Sequence, residues 1–163
     1  MCGIVGAFTF GDINKEEQKI ITDALTFITT ELLEITEERG KDATGVVTLF
    51  EDGNFNGIKM GIPSPEFIAR FTQKENEFAG FLKVWREYEP VMRAYMGHCR
   101  KSTVGNTYDN NNNHPIKVDD VVIIHNGTID NPDTIFKKLG CPRDGTVDSE
   151  AIARLVHHFT ENG

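Results

Sequence analysis

Residues 1–12 read MCGIVGAFTFGD, and this stretch decides how the fold begins. The apolar run from Gly3 to Phe10 is rich in Ile, Val and Phe, and a Gly-Asp pair closes it, so a buried strand and a turn are predicted. The same stretch places Cys2 directly behind Met1. Removal of Met1 puts a thiol and a free α-amine on one residue, which gives a nucleophile with its own base. Alternatively, Cys2 is a small apolar residue that enters a strand.

Length and charge restrict the class of protein. The chain has 163 residues, of which 39% are hydrophobic, enough for one domain with a core. Lys and Arg number 17 against 25 Asp and Glu, a net charge of -8, which argues against nucleic acid or an anionic membrane as the main partner. The cysteines are odd in number and widely spaced, so neither a disulfide framework nor a zinc cluster is predicted. Without a secretory signal pattern, the expected location is the cytoplasm.

Hydrophobic periodicity predicts an α+β chain with about five strands. A long helix capped by Asn14 is expected to cover a sheet with the apolar stripe Ile21, Ala24, Leu25, Ile28, Leu32 and Ile35. A β-branched run at 121–124 is expected to be a strand buried on both faces, and residues 100–117 a long polar loop. The predicted helices are 15–37, 66–72, about 75–88, one from Asn131-Pro132, and 148–159; the further strands are 46–50, 55–60 and one from Val91.

HNG at 125–127 directly follows the predicted buried strand. The amide of Asn126 and the N–H of Gly127 are neutral donors suited to a developing oxyanion. Asn-Gly is, however, also the strongest short signal for a hairpin turn. The motif alone therefore leaves both interpretations open.

Charged residues in two further motifs suit the recognition of an amino acid. GHCRKSTVG at 97–105 ends a predicted strand with Arg100 and two hydroxyl residues, and a guanidinium binds carboxylates bidentately. Asp148 opens the last predicted helix, where an Asp is usually only a cap. The histidines show no metal-ligand spacing, so no metal site is predicted.

Together and in this order, the motifs resemble the glutaminase domain of class II glutamine amidotransferases, in the N-terminal nucleophile hydrolase superfamily. The resemblance runs from MCGIVG through RGKDATG (family RGxDxxG) and GHCRKST (family GHxRxAT) to NHP, HNGTIDN and DSE, nearly the whole chain. It is similar to the glutaminase half of glucosamine-6-phosphate synthase and of amidophosphoribosyltransferase. The resemblance implies a single glutaminase domain over 1–163 with an αββα four-layer sandwich.

The resemblance also implies roles for individual residues. Cys2, freed of Met1, would attack the side-chain amide of L-glutamine and form a γ-glutamyl thioester, and water would then release glutamate. Asn126 and Gly127 would form the oxyanion hole. Arg100 and Thr103 would hold the substrate α-carboxylate, and Asp148 would hold its α-ammonium. Arg39 and Asp42 would form a supporting loop near the nucleophile, and His114 would lie in the family's Asn-His-Pro loop over the pocket. No cofactor is implied.

Some features depart from the family pattern. Lys101–Val104 replaces the Trp-Ala-Thr-His of the synthase type, so the loop over glutamine is expected to differ. The sequence ends at Gly163, where family domains continue with further strands, so a second sheet shortened at the C-terminus is expected: a compact variant, a fragment, or a fold that another chain completes. No acceptor domain is identified, and the ammonia acceptor is expected on another chain.

Two alternatives to a glutaminase remain at this stage. The first is a non-catalytic glutamine-binding or regulatory module, or a truncated remnant, which would bind glutamine or nothing without turnover. The second is another N-terminal nucleophile amidase, which would not need the set of Arg100, Thr103 and Asp148.

Overall fold

A computed structural model describes residues 1–72 and 90–161, and within them six strands and four α-helices form an α+β fold with antiparallel sheets. The strands are β1 (Gly3–Phe8), β2 (Ala43–Phe50), β3 (Phe55–Met60), β4 (Met92–Arg100), β5 (Ile116–Val118) and β6 (Val121–Ile123). The helices are α1 (Lys15–Thr36), α2 (Ser64–Thr72), α3 (Pro132–Leu139) and α4 (Glu150–Glu161), with short 3-10 turns at Glu37–Arg39 and Asn110–Asn112.

The first sheet has the strand order β1-β4-β2-β3, and every neighbouring pair is antiparallel. In its register Gly3 lies opposite Cys99, and Ala43 lies opposite Arg100. The starts of β1 and β2 therefore meet the end of β4 at one end of the sheet. Cys2 and Asp42 directly precede two of these strand ends, and Arg100 completes the third.

Helix α1 packs on β1 and β4 and begins where the sequence predicts. Asn14 forms a capping box, because its side chain accepts from the N–H groups of Glu16 and Glu17 while the Glu17 carboxylate accepts from the Asn14 N–H. The predicted apolar stripe is only partly correct, because Leu25 packs against the core whereas Ile28 and Ile35 are exposed. Among the described side chains of α1, the buried ones are Thr22, Thr29 and Leu33. Two threonines thus replace aliphatic residues on the packed face, which apolar periodicity does not detect.

An apolar core lies under the first sheet. It is built from both sheet and helix residues, and Tyr95 and Phe67 are its largest fully buried side chains. Its buried members are Val5, Leu33, Val46, Phe50, Phe67, Ile68, Met92, Tyr95 and Cys99. Because this core holds β4 in place, it also fixes where the polar residues after β4 begin.

The second sheet pairs β5 with β6, Ile116 opposite Ile123. Helix α4 packs on both strands, and α3 packs on α4. Strand β5 overlaps the end of the stretch 100–117 that was predicted as a loop, because three residues are too few for periodicity to reveal. The prediction that β6 is buried on both faces is wrong, since all its residues are half-buried and its only neighbour among the described strands is β5.

The hairpin of β5 and β6 lies beside β2 and β3 of the first sheet. A cavity of about 320 Å³ separates them and is lined by Val47, Phe55, Ile58, Lys117 and Val122, among others. At its inner side the Lys59 ammonium donates to the carbonyls of Asn113 and Pro115 at 2.8 and 2.7 Å. Gly45 lets the two layers approach, because a Cβ there would overlap the carbonyl oxygen of His114.

Several element boundaries also differ from prediction. β1 ends at Phe8 and buries one face only, with Ile4 exposed. β2 begins at Ala43, three residues before the predicted strand, and α4 begins at Glu150 instead of Asp148. The helix predicted over about 75–88 lies outside the described residues. Within residues 1–72 and 90–161, no helix is at once sufficiently long and sufficiently apolar to span a bilayer.

Candidate functional site

Cys2 lies at the entrance of β1, half-buried, with polar contacts on every side. Its N–H donates to Asn126 Oδ1 at 3.2 Å, and its carbonyl accepts from Asn126 Nδ2 and from Arg39 Nε, each at 3.1 Å. Its Sγ lies 3.4 Å from the N–H of Lys101, the first residue after β4. The structure therefore brings Cys2, Asn126 and Arg39 together from three distant parts of the chain, as the motifs predict.

The loop that holds Arg39 and Asp42 lies against the end of β4. Asp42 is fixed at both ends: its N–H donates to the Arg100 carbonyl at 3.0 Å, and its carboxylate accepts from the Ser102 N–H at 2.7 Å. Gly40 permits this approach, since a Cβ would overlap the backbone of Arg100 and Lys101. Asp42 thus acts on the loop after β4, while Arg39 acts on Cys2 itself.

The turn after β6 carries Asn126 to Cys2. The carbonyl of His125 accepts from His98 Nε2 at 3.1 Å, and His125 Nδ1 lies 2.9 Å from Ser149 Oγ. Gly127 has no room for a side chain, because a Cβ would come within 2.6 Å of His125 Nε2. Further along, Asp148 Oδ2 accepts from the Ile129 N–H at 2.6 Å. Asn126 and Gly127 are both exposed.

Arg100 is buried and already bonded. Its guanidinium donates to Asn113 Oδ1 at 2.8 Å, to the Gly105 carbonyl at 3.2 Å and to the Val104 carbonyl. Burial lowers the pKa of Arg100, and the nearby groups of Cys2, Asp42 and Asp148 act in the opposite direction. Arg100 is thus the charged centre around which these groups gather, and the loop at 104–105 depends on it.

His114 lies behind Arg100 in a buried pair of imidazoles. Its ring stacks on that of His98 with centroids 4.3 Å apart, and no hydrogen-bond partner for either ring nitrogen of His114 is found in the described part of the chain. Burial is the main cause that lowers the pKa of His98 to about 4 and that of His114 to about 2. Both rings are therefore neutral near pH 7. His114 makes no described contact with Cys2.

Two of the predicted substrate residues stand apart from Cys2. Thr103 is exposed in the loop after β4, and Asp148 is buried at the start of α4. Asp148 is close enough to act on the Arg100 pKa, whereas Thr103 makes no described contact with any of these residues. The structure thus gathers most of the predicted set around the ends of β1, β2, β4 and β6.

Sequence reasoning missed the asparagines that hold the site's loops. Asn113 Oδ1 binds Arg100, and its Nδ2 donates to the Thr107 carbonyl at 2.7 Å. Asn112 Oδ1 accepts from the N–H groups of Thr146 and Val147 at 2.6 and 3.1 Å. Both side chains are fully buried. The run Asn110–Asn113 suggested only a loop by composition, although its last residue is also the Asn of the NHP motif, which was a usable signal.

Comparison with known proteins defines the class. No protein-family model matches the chain. The chain is 28% identical over 166 residues to a glutamine–fructose-6-phosphate aminotransferase (isomerizing) of Xylella fastidiosa strain Temecula1, covering all of this chain and 23% of that protein. Proteins of the same name from Pseudomonas syringae pv. tomato and Vibrio vulnificus are 28% and 30% identical, covering 97% and 96% of this chain and 22% of each relative.

The relatives are glutamine-dependent enzymes, and they confirm the resemblance to glutamine amidotransferases. The particular relatives found are aminotransferases that use fructose 6-phosphate by name, and the chain spans less than a quarter of their length. Solved structures gave TM-scores of 0.34 for a β-clamp processivity factor with the little finger domain of PolIV and 0.37 for the insertion ternary complex of Dbh DNA polymerase. The first is 16% identical and covers 63% of this chain and 92% of its own. The second is 11% identical and covers 60% of this chain and 27% of its own. TM-scores this low carry no argument about the fold.

Proposed function

We propose that this chain is a glutaminase domain that hydrolyses L-glutamine to glutamate and ammonia with Cys2 as an N-terminal nucleophile. The observation that carries the proposal is the contact of the Asn126 amide with both main-chain polar atoms of Cys2, at 3.2 and 3.1 Å. This contact joins the two motifs, 124 residues apart, whose chemistry is a nucleophile and an oxyanion donor.

The proposed reaction begins once Met1 is removed. The α-amine of Cys2 takes the thiol proton, and the sulfur attacks the side-chain amide carbon of glutamine. The oxyanion that forms accepts hydrogen bonds from the Asn126 amide and the Gly127 N–H. Asn126 is suited to this, because its bond to the Cys2 carbonyl uses only one of the two N–H groups of the amide.

Collapse of the tetrahedral intermediate breaks the carbon–nitrogen bond. The nitrogen leaves as ammonia with the proton that the α-amine held, and a γ-glutamyl thioester remains on Cys2. Water, deprotonated by the same amine, then attacks the thioester and releases glutamate. The reaction balances as glutamine plus water giving glutamate plus ammonia.

The substrate's charged ends are assigned to Arg100 with Thr103 for the α-carboxylate and to Asp148 for the α-ammonium. The guanidinium and the Asp148 carboxylate are near enough to influence each other, which supports a site for a zwitterion. Arg100 is at present bonded to the carbonyls of the 104–105 loop. Binding a carboxylate therefore requires that loop to shift, with Thr103 moving on it.

The layers observed also support the family fold. Helix α1 covers the first sheet, the β5–β6 hairpin lies beside that sheet, and α4 covers the hairpin, an order that fits an αββα sandwich over one domain. The ammonia acceptor is assigned to another chain in the cytoplasm, and its chemistry is suggested only by the relatives' names.

The experiment that tests the function is glutamate release from L-glutamine, with the N-terminal mass measured on the same sample. Cys2→Ala is expected to lose activity completely, while Cys141→Ala, which changes another half-buried free cysteine, keeps it. Asn126→Ala is expected to lower kcat by about 100- to 1000-fold. Absence of turnover in protein that starts at Cys2 would instead support the non-catalytic glutamine-binding module, and turnover of acyl amides other than glutamine would support a different amidase.

A further inference from the structure

The position of Asn126 depends on what holds the residue before it. Asn126 itself is exposed and lies in a turn, and its contacts with Cys2 are the only described side-chain hydrogen bonds it makes. The turn must be held by a contact with the rest of the fold if the Asn126 amide is to keep a constant position as an oxyanion donor. The preceding residue, His125, supplies that contact.

His125 is tied at two atoms. Its carbonyl accepts from His98 Nε2 at 3.1 Å, and its ring Nδ1 lies 2.9 Å from the Ser149 hydroxyl. Of the two tethers, the one to His98 acts on the main chain one residue from Asn126. It therefore sets the path of the backbone that enters the Asn126 position.

His98 is a rigid anchor for that bond. It lies in β4, opposite Ile4 on β1 and opposite Gly45 on β2, so the ladder holds it from both sides. Its side chain is 1% exposed and stacks on the His114 ring. Neither the backbone nor the ring of His98 has space to follow a displaced turn.

The hydrogen bond also fixes the tautomer of His98. A carbonyl oxygen accepts only, so the proton lies on Nε2, and Nδ1 is a buried lone pair for which no partner is found among the described residues. Leaving a buried nitrogen without a partner costs stability. One nitrogen of the His98 ring thus makes a hydrogen bond to His125 and the other makes none among the described residues. Because the unpaired nitrogen costs stability, this arrangement indicates that the single hydrogen bond has a function.

We propose that His98 is a positioning residue for the oxyanion donor: its Nε2–H holds the His125 carbonyl and thereby sets the Asn126 amide against Cys2. The catalytic consequence rests on the proposed glutaminase activity, whereas the placement of Asn126 does not. His98 touches neither the nucleophile nor the expected substrate atoms, so it acts only through the turn.

Two substitutions separate this role from simple packing. His98→Gln keeps an N–H donor near the Nε2 position but removes the ring, whereas His98→Phe keeps a ring over His114 but removes the donor. Loss of the bond is expected to lower kcat by about 10- to 100-fold, as a misplaced catalytic group does. We therefore expect His98→Phe to lose this factor in kcat with KM changed little, and His98→Gln to recover most of it.

A second readout works without activity. In Cys2→Ala protein that keeps Met1, the main-chain partners of Asn126 remain, and the NMR signal of its side-chain amide, assigned with Asn126→Ala, reports its position. His98→Phe is expected to shift this signal, and His98→Gln to leave it near its original place. His158→Gln, on exposed α4 surface, serves as the control that changes neither readout. If H98F does not fold, His98→Met replaces it.

The inference is overturned if the amide signal stays in place in His98→Phe, or if His98→Gln is the more impaired of the two. If the parent protein shows no glutamate release, the proposed function fails, and the amide signal alone decides the role of His98. An unmoved signal in an active parent would refute the positioning role and leave the glutaminase intact.

Discussion

At the scale of a single residue, Asp148 combines an observed structural contact with a proposed binding role. Its carboxylate accepts from the Ile129 N–H at 2.6 Å and so holds the end of the turn that carries Asn126. The proposed role as partner of the substrate ammonium needs its negative charge, whereas the turn needs only an oxygen acceptor. The structural and the binding role can therefore be separated by mutation.

Asp148→Asn keeps an acceptor oxygen and removes the charge. We expect KM for L-glutamine to rise about 10- to 100-fold, the value of one charge-assisted hydrogen bond, with little change in the urea midpoint of unfolding. Asp148→Ala is expected to lose stability as well, because the Ile129 N–H loses its partner. Asp130→Asn, a neighbouring exposed acid, is the control, and an unaltered KM in Asp148→Asn would disprove the ammonium assignment.

Residues whose chemistry is unusual for their position were predictable, and residues that serve them were not. Cys2, Asn126 and Arg39 were identified from motifs, and they are in contact in the structure. Asn113 lies in the NHP motif but received no role, because an asparagine that accepts from a buried arginine has the same sequence signature as one in a solvated loop. Its role becomes visible only when the loop of residues 101–112, which separates it from Arg100, is folded.

At the scale of an element, α1 shows which signals are local. Its start at Lys15 was predicted from Asn14, because a cap interacts with residues two and three positions away. Its packed face was predicted only in part, because Thr22 and Thr29 turn toward the sheet while Ile28 and Ile35 remain exposed. Helix ends are fixed by neighbours in sequence, and helix faces by neighbours in space.

The cap gives a prediction about stability. Asn14→Ala removes the acceptor for the N–H groups of Glu16 and Glu17 and is expected to lower the free energy of unfolding by about 1 kcal/mol. Asn14→Asp, which keeps an acceptor oxygen, is expected to be close to wild type. Urea unfolding with an unchanged m-value measures the difference, and equal midpoints for the Ala and Asp variants would contradict the capping role.

At the scale of the whole molecule, the buried imidazole pair makes stability depend on pH. His98 and His114 have lowered pKa values of about 4 and about 2, whereas an unfolded chain has histidines near about 6.5. Below that value the unfolded state binds protons that the folded state does not. The stabilisation is complete above about pH 6.5 and is lost progressively as the pH falls toward the folded-state pKa values.

We therefore expect the free energy of unfolding to decrease by up to about 1.4 kcal/mol per pH unit for each of the two histidines between about pH 6.5 and 4. The positive charges of Arg100 and Lys59 also lower the pKa of His114. His114→Phe is expected to reduce this slope by the share of one histidine, and His158→Gln to preserve it. Equal slopes for wild type and His114→Phe, in urea unfolding at several pH values, would refute the assignment.

The fold as a whole was predictable in class and less so in layout. Alternating helix and strand patterns predicted the α+β class. The motifs identified polar residues that gather at one end of the first sheet. The β5–β6 hairpin was half missed, because β5 is three residues long and follows a polar run. Short strands owe their existence to the α4 helix that covers them, and no local pattern encodes that contact.

The contact between Asn126 and the main chain of Cys2 has a practical consequence for handling this protein. While Met1 or any fused segment precedes Cys2, the nitrogen that Asn126 Oδ1 meets is a peptide N–H, which has no basicity. A purification tag at the N-terminus would therefore yield folded protein with a thiol but no amine to activate it. The proposed mechanism predicts that assays of such material report an inert protein, so affinity handles belong away from the first residue.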